Sequence, residues 1–129
     1  MFKSLEIFQL SYAMASHAAA RQSIVAQNMA NADTPGYVAR DTETFKDMVE
    51  QSGRTTAGAM RSSRKGHIGQ GFVAVSANTN TSTSDSSPNG NSVSLEEEMM
   101  KAVEVQRQHD RALAIYKSSL TVLRATLGR

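Results

Sequence analysis

An all-α fold is expected from this sequence: long N- and C-terminal helices paired as a coiled coil, joined by a flexible middle segment that is partly β or without fixed structure. Both ends of the chain carry apolar residues in alternating steps of three and four, the spacing that lines one side of a helix. The middle, residues 53–92, is rich in Gly, Ser, Thr and Asn and holds a single acid, Asp85. Between them the stretch "NMANADTPGY", residues 28–37, stops the first helix in a rigid turn. The chain therefore divides into 1–52 (axial helix, turn and short helix), 53–92 (middle segment) and 93–129 (C-terminal axial helix).

The first helix is expected from about Ser4 to Asn31. Its seam runs Leu5, Phe8, Tyr12, Ala15, Ala19, Gln22, Ala26 and Met29, all apolar except Gln22. The run "AMASHAAA" thins that seam to small side chains, so another backbone could approach closely there. Ser4 suits the N-cap, and Glu6 in the first turn favours the helix dipole.

In the turn, Asn28 and Asn31 stand one helical turn apart, where their amides can bond backbone groups that a helix end leaves unpaired. Pro35 biases Thr34 away from helical geometry. "TPGY" fits a type II turn, with Pro35 supplying a fixed φ and Gly36 a positive one. Tyr37 brings a ring to bury and a hydroxyl to anchor. "YVARDTETF" continues extended, and "TETFKDMVEQ" makes a short helix with Phe45, Met48 and Val49 on one face.

Within the middle, "SANTNTSTSDSSPNGNS", residues 76–92, has Ala77 as its only hydrophobic residue. It cannot bury enough apolar surface to offset an ordering entropy of roughly 1–2 kcal/mol per residue, and is expected to be a flexible linker. "FVAV", 72–75, has the composition of an edge strand. Arg54, Arg61, Arg64 and Lys65 form a basic cluster, either solvated or facing an acidic neighbour or lipid headgroups.

The C-terminal helix, Leu95–Leu127, has the seam Leu95, Met99, Ala102, Gln106, His109, Leu113, Tyr116, Leu120, Leu123 and Leu127. Ser94 and Glu97 form a capping box, Glu96 and Glu98 favour the dipole, and Gly128 is the stop. Gln106 and His109 suit register-setting polar contacts in such a seam. The two helices would run ~40 and ~50 Å. A two-helix hairpin buries one face of each, leaving Ile7, Leu10, Met14, Ile24, Val25, Val103, Val105, Ile115 and Val122 in want of partners. The chain is thus expected to be weakly folded alone and completed by neighbours.

Composition excludes other classes. Aromatics are 5% and Trp is absent, which limits any compact core. A net charge of +2, with no basic run interleaved with aromatics, does not argue for nucleic acid. There is no Cys, and His17, His67 and His109 lack ligand spacing. "GHIGQG" lacks the Lys and flanking elements of a phosphate loop. No nucleophile–base pair emerges, so no enzyme, cofactor, metal or small-molecule substrate is expected. Glu6, Gln9 and Ser11 interrupt any signal-peptide core, and no apolar run reaches membrane-spanning length.

"NMANADTPGYVARDTETF" resembles the N-terminal motif of the bacterial flagellar axial proteins, the rod, hook and hook-associated family. Asn28, Ala30, Asn31, Thr34, Pro35, Gly36 and Tyr37 fall where that family has Asn-x-Ala-Asn…Thr-Pro-Gly-Tyr. Ala32-Asp33, Ala39-Arg40-Asp41…Phe45 and the chain's length are most similar to proximal rod members, as are "KGHIG" and "SPNGNSVSLEEEMMKAVEVQ". Asn89 and Ser94 depart from an expected Asp, Val38 from a common Lys, and His109 from a usual aromatic. The resemblance implies a structural subunit of the proximal rod, exported unfolded by a type III apparatus without a cleaved signal peptide. It implies a periplasm-spanning basal-body location and helical self-assembly into a hollow shaft that transmits torque and conducts later subunits. Implied partners are other rod proteins, the hook–basal-body protein FliE, and the membrane ring and export gate. The residues implied at the assembly seam are Leu5, Phe8, Tyr12, Met29, Leu113, Tyr116, Leu120, Leu123 and Leu127. Two other classes stay open on the residues alone: a soluble coiled-coil adaptor or chaperone acting as a discrete oligomer, separable by sedimentation, and a small DNA-associated helical protein, separable by salt-dependent binding.

Overall fold

The computed structural model describes residues 2–54, 79–81 and 88–128, with side chains over 6–50 and 88–128. In chain order these form α1 (Phe2–Ala30), β1 (Arg40–Thr42), α2 (Phe45–Arg54), β2 (Thr79–Thr81) and α3 (Leu95–Thr126). The fold is mostly helical. α1 and α3 form an antiparallel hairpin, since Phe8 near one end of α1 meets Tyr116 of α3, while Asn28 at the other end meets Glu98. The Phe8 and Tyr116 rings sit edge to face with centroids 5.2 Å apart, a favoured aromatic geometry.

The core between the helices is narrow. Its buried apolar residues are Ala13, Ala18, Ile24 and Val25 from α1, Ala39 from the return chain, and Val105 and Ala112 from α3. Four of these seven are alanines, so the backbones come close rather than interlocking large side chains. This pairing face differs from the expected seam. In α1 the buried line passes through Ser11, Ala18, Arg21, Val25 and Asn28, one residue before Tyr12, Ala19, Gln22, Ala26 and Met29. In α3 it passes through Glu98, Val105 and Ala112 rather than Met99, Gln106 and Leu113. One residue is ~100° of helix, enough to turn Tyr12 to 74% exposure. The physical reason is that alanines occur on several sides of α1 and do not single out one, and that counting apolar residues passes over polar groups that are buried because a distant segment pairs with them. Ile24, Val25 and Val105, expected to lack partners, are in the core, and Met14 is half-buried.

The helix ends follow from local chemistry, with two corrections. α1 starts two residues before Ser4, so Glu6 lies beyond its first turn. Ser94 is the N-cap of α3 and accepts from the Glu97 N–H at 3.5 Å, one half of the expected capping box. Glu96, Glu97 and Glu98 fill the first turn of α3, and Gly128 follows it at φ +75°. Thr44 caps α2 by accepting from the Asp47 N–H, while its hydroxyl donates to the Asp47 carboxylate at 2.6 Å.

β1 and β2 pair antiparallel, with Arg40 opposite Thr81, Asp41 opposite Asn80 and Thr42 opposite Thr79. Thus Thr79–Thr81, inside the stretch expected to be a linker, is a strand. "FVAV", "GHIGQG", His67 and most of the basic cluster (Arg61, Arg64 and Lys65) lie outside the described residues, and Arg54 is the last residue of α2.

Candidate assembly site

The site is the junction where the end of α1, the turn after it and the start of α3 meet. Asn28 is its centre and has no solvent exposure. Its Nδ2 donates to the Arg40 carbonyl at 2.6 Å and to Glu98 Oε2 at 3.1 Å. Its Oδ1 accepts from the Arg40 N–H at 3.1 Å and from the Tyr37 hydroxyl at 3.3 Å. A primary amide offers two donors and two acceptor lone pairs, so all four are used. Toward Arg40 the side chain acts as a strand neighbour would, taking both the N–H and the C=O. The Asn28 amide therefore bonds the return chain and α3 rather than the helix end. Asn31 does serve the helix end, donating to the Gln27 carbonyl at 2.8 Å.

A second asparagine closes the junction from the other side. Asn91, 2% exposed, aims its Nδ2 at the carbonyls of Asn31, Ala32 and Thr34, at 3.0, 2.7 and 2.8 Å. Those carbonyls lie just past α1, in the turn by which the chain leaves it, and those of Asn31 and Thr34 also accept from the Thr34 and Tyr37 N–H groups. Asn91 Oδ1 accepts from the Val93 N–H at 2.8 Å. Ser92 continues the contact, its N–H donating to the Tyr37 carbonyl and its Oγ accepting from the Ala39 N–H. The Gly36 N–H donates to the Asn89 carbonyl at 3.2 Å. The Tyr37 N–H donates to the Thr34 carbonyl across the turn, and Gly36 has φ +73°, the geometry a type II turn needs at its third residue.

Charges brace the same junction. Asp41 lies 3.4 Å from Arg21 of α1 and 3.4 Å from Lys101 of α3. Lys101 donates to Glu98 at 2.8 Å, and Glu98 is 2% exposed. Burial works against the Lys101 charge, but Glu98 and Asp41 together outweigh it and hold its pKa above the ordinary value. Two acids and two bases balance, so a charge set that would be costly singly is tolerated as a group.

One turn earlier on α1, His17 is 2% exposed, with Nε2 3.0 Å from the Glu43 carbonyl and its ring against Phe45, centroids 5.7 Å apart. A carbonyl can only accept, so Nε2 carries the proton. Nδ1 has no hydrogen-bond partner, and neither has the buried Thr42 hydroxyl oxygen. Burial lowers the His17 pKa, offset in part by the Glu43 carbonyl, with Arg21 adding to the lowering. His17 is therefore a neutral peg holding the return chain on α1.

Of the expected motif residues, Asn28 is central, Tyr37 and Asn31 are half-buried contributors, Gly36 makes the turn, and Ala30, Thr34 and Pro35 face outward. Of the expected seam residues, Phe8 and Tyr116 meet, while Met29, Leu120 and Leu123 are half-buried. Tyr12, Leu113 and Leu127 are exposed, and the Leu5 side chain lies outside the described ones. Asn91, Ser92, Lys101 and Arg21 were not singled out from the sequence, and Glu98 and Asp41 were named there only for the helix dipole and the family resemblance. For Asn91 and Ser92 the polar run around them reads as linker. For Glu98 the first turn of a helix explains an acid without burial. Among the described residues no three His, Asp or Glu converge as a metal set, and no helix is long and apolar enough to cross a membrane.

A helical hairpin with a narrow core, locked at one end and lined outside by apolar side chains, is a structural subunit. Comparison with known proteins gives it a place. Residues 15–37, the second half of α1 and the turn, match the family of flagella basal body rod proteins. The flagellar basal body rod protein FlgB of Agrobacterium fabrum is 30% identical to this chain, over 97% of this chain and 95% of that protein. The chain belongs to the FlgB family of flagellar basal body rod proteins, and its function is that of a structural subunit of the flagellar rod.

Proposed function

We propose that this chain builds the proximal rod, assembling with copies of itself and other rod proteins into a hollow shaft that transmits torque and conducts exported subunits. It carries out no covalent chemistry. Its partners in this reading are the other rod proteins, FliE, and the membrane ring and export gate, in a rod that spans the periplasm and is reached without a cleaved signal peptide. The carrying observation is the apolar surface the hairpin leaves uncovered: Ile7, Leu10 and Tyr12 on α1, and Met99, Met100, Val103, Ile115 and Val122 on α3. Each large side chain of this kind gains about 1.5–3 kcal/mol on full burial. Neighbours in a helical assembly would cover them. The motif turn would set the direction in which the return chain leaves α1, and the seam residues would meet adjacent subunits.

Site-directed crosslinking from Met100 and Leu10 in intact cells tests this. Crosslinks from both positions to rod proteins, present in basal bodies, are expected. Crosslinks confined to a closed dimer in the cytoplasm would support the adaptor reading instead.

A further inference from the structure

We propose that Asn89 is a modification site, a self-converting asparagine whose change to isoaspartate loosens the junction between α1 and the chain leading into α3. The chain has six asparagines, and only Asn89 is followed by glycine. Gly90 presents a backbone nitrogen unshielded by any side chain, at φ +78°. Asn89 is exposed, so water reaches it. Its Oδ1 accepts from the Asn91 N–H at 3.0 Å, which folds the side chain back over the Gly90 peptide and polarises Cγ for attack. Among the described residues neither Asn89 Nδ2 nor the Gly90 N–H has a hydrogen-bond partner that would hold it back.

The chemistry needs only water. The Gly90 nitrogen attacks Asn89 Cγ, forming an N–Cγ bond and a five-membered succinimide. The Cγ–Nδ2 bond breaks, and ammonia leaves with the proton given up by the Gly90 nitrogen. Water then opens the ring. Cleavage of the new N–Cγ bond yields aspartate, while cleavage between the main-chain carbonyl and the nitrogen yields isoaspartate, with the backbone now running through Cγ.

Position gives the conversion its effect. The Asn89 carbonyl holds the Gly36 N–H, and Asn91 holds three carbonyls at the α1 exit. Gly90 is so close to the motif turn that a Cβ on it would lie 3.5 Å from Gly36 Cα. Isoaspartate takes the Asn89 carbonyl that holds Gly36 out of the main chain, as a free carboxylate, and lengthens the chain from Asn89 Cα to Gly90 by one methylene, about 1.5 Å, so the Gly36 and Asn91 anchors cannot both stay in place. Aspartate keeps the acceptor for the Asn91 N–H and leaves the junction closed.

The test holds the full-length chain at mildly alkaline pH, followed by peptide mapping with isoaspartyl methyltransferase labelling and residue-resolved amide exchange. The exchange of ammonia for water is expected at Asn89 before any other asparagine. The isoaspartate fraction is expected to lose protection at Gly36 and across 31–37. Asn89→Gln, which would have to close a six-membered ring, is expected to stay unmodified and to keep its exchange pattern over the same period. Conversion of Asn78 or Asn80 ahead of Asn89 overturns the site. Loosening of Asn89→Gln at the parent's rate, or isoaspartate at 89 with protection at 31–37 intact, overturns its link to the junction.

Discussion

Replacing Asn28 by Asp changes one NH2 into an oxygen and tests the junction with almost no change in volume. The Oδ1 contacts to the Arg40 N–H and Tyr37 hydroxyl survive, but both Nδ2 donations are lost. The Arg40 carbonyl then lacks its donor, at about 1–3 kcal/mol for a buried acceptor. The new carboxylate also stands where Nδ2 was, 3.1 Å from Glu98 Oε2. Two like charges at such a distance repel by ~5 kcal/mol even at an effective dielectric of about 20. Taking up a proton limits that cost to about 1.4 kcal/mol for each pH unit above the side chain's ordinary pKa, or ~4 kcal/mol at pH 7. The sum, roughly 5–7 kcal/mol, is comparable with the whole stability of a marginal domain. The added carboxylate has a folded pKa raised above its unfolded value, so its penalty appears as pH rises and fades as pH falls toward 4. Thermal unfolding of full-length Asn28→Asp followed by far-ultraviolet circular dichroism at pH 5 and pH 7.5 reads both size and sign. A variant as stable as the parent at pH 7.5, or equally destabilised at both pH values, would refute the Asn28–Glu98 contact as drawn.

The remaining predictions concern the same junction and the hairpin. His17 is buried with a lowered pKa, so the unfolded chain binds more protons. Stability is full above the ordinary value of 6.5 and falls as pH drops through it. His17→Gln, which can still donate to the Glu43 carbonyl, is expected to flatten that slope in melts taken between pH 7.5 and 5. Asn91→Ala takes the side-chain donor from the Ala32 carbonyl and the acceptor from the Val93 N–H, and leaves the Asn31 and Thr34 carbonyls only their backbone donors; it is expected to cost about 1–3 kcal/mol and to raise amide exchange at 31–37. Gly36→Val places a β-branched residue at φ +73°, with no atom within 4 Å of its Cβ. Its cost is backbone strain alone, ~1–3 kcal/mol, with Gly36→Asn much milder, a ranking that soft-agar motility and basal-body content can check. Leu120 is half-buried and Thr121 exposed, so Leu120→Asp is expected to be missing from purified basal bodies while Thr121→Asp is incorporated; equal behaviour of the two would remove Leu120 from the pairing face.

The helices were legible because their signals are local: a three-and-four spacing, a capping serine, acids in a first turn and a terminal glycine. The Thr-Pro-Gly-Tyr turn was legible for the same reason, since Pro35 and Gly36 set their own backbone angles. What was not legible depends on partners far along the chain. Arg21 reads as a surface residue, Asn28 as a cap of its own helix end and Glu98 as a dipole acid until Asp41, Arg40 and Lys101 come round to meet them. That is why the pairing face lies one residue from where the apolar count placed it. Asn91 looks like linker in "SPNGNS", yet it bonds three carbonyls of the turn that leaves α1, 60 residues back for Asn31. A short polar side chain can be decisive wherever it meets unpaired backbone, and composition does not show where that happens.

The most direct measurement is a density map of intact basal bodies, resolved well enough to place side chains. A rod in which this chain appears with α1 and α3 antiparallel, Asn28 seated between Arg40 and Glu98, and Ile7, Leu10, Met100 and Val103 covered by adjacent subunits is the expected result. A rod assembled without this chain, or with its two ends apart and those apolar residues facing solvent, would contradict it.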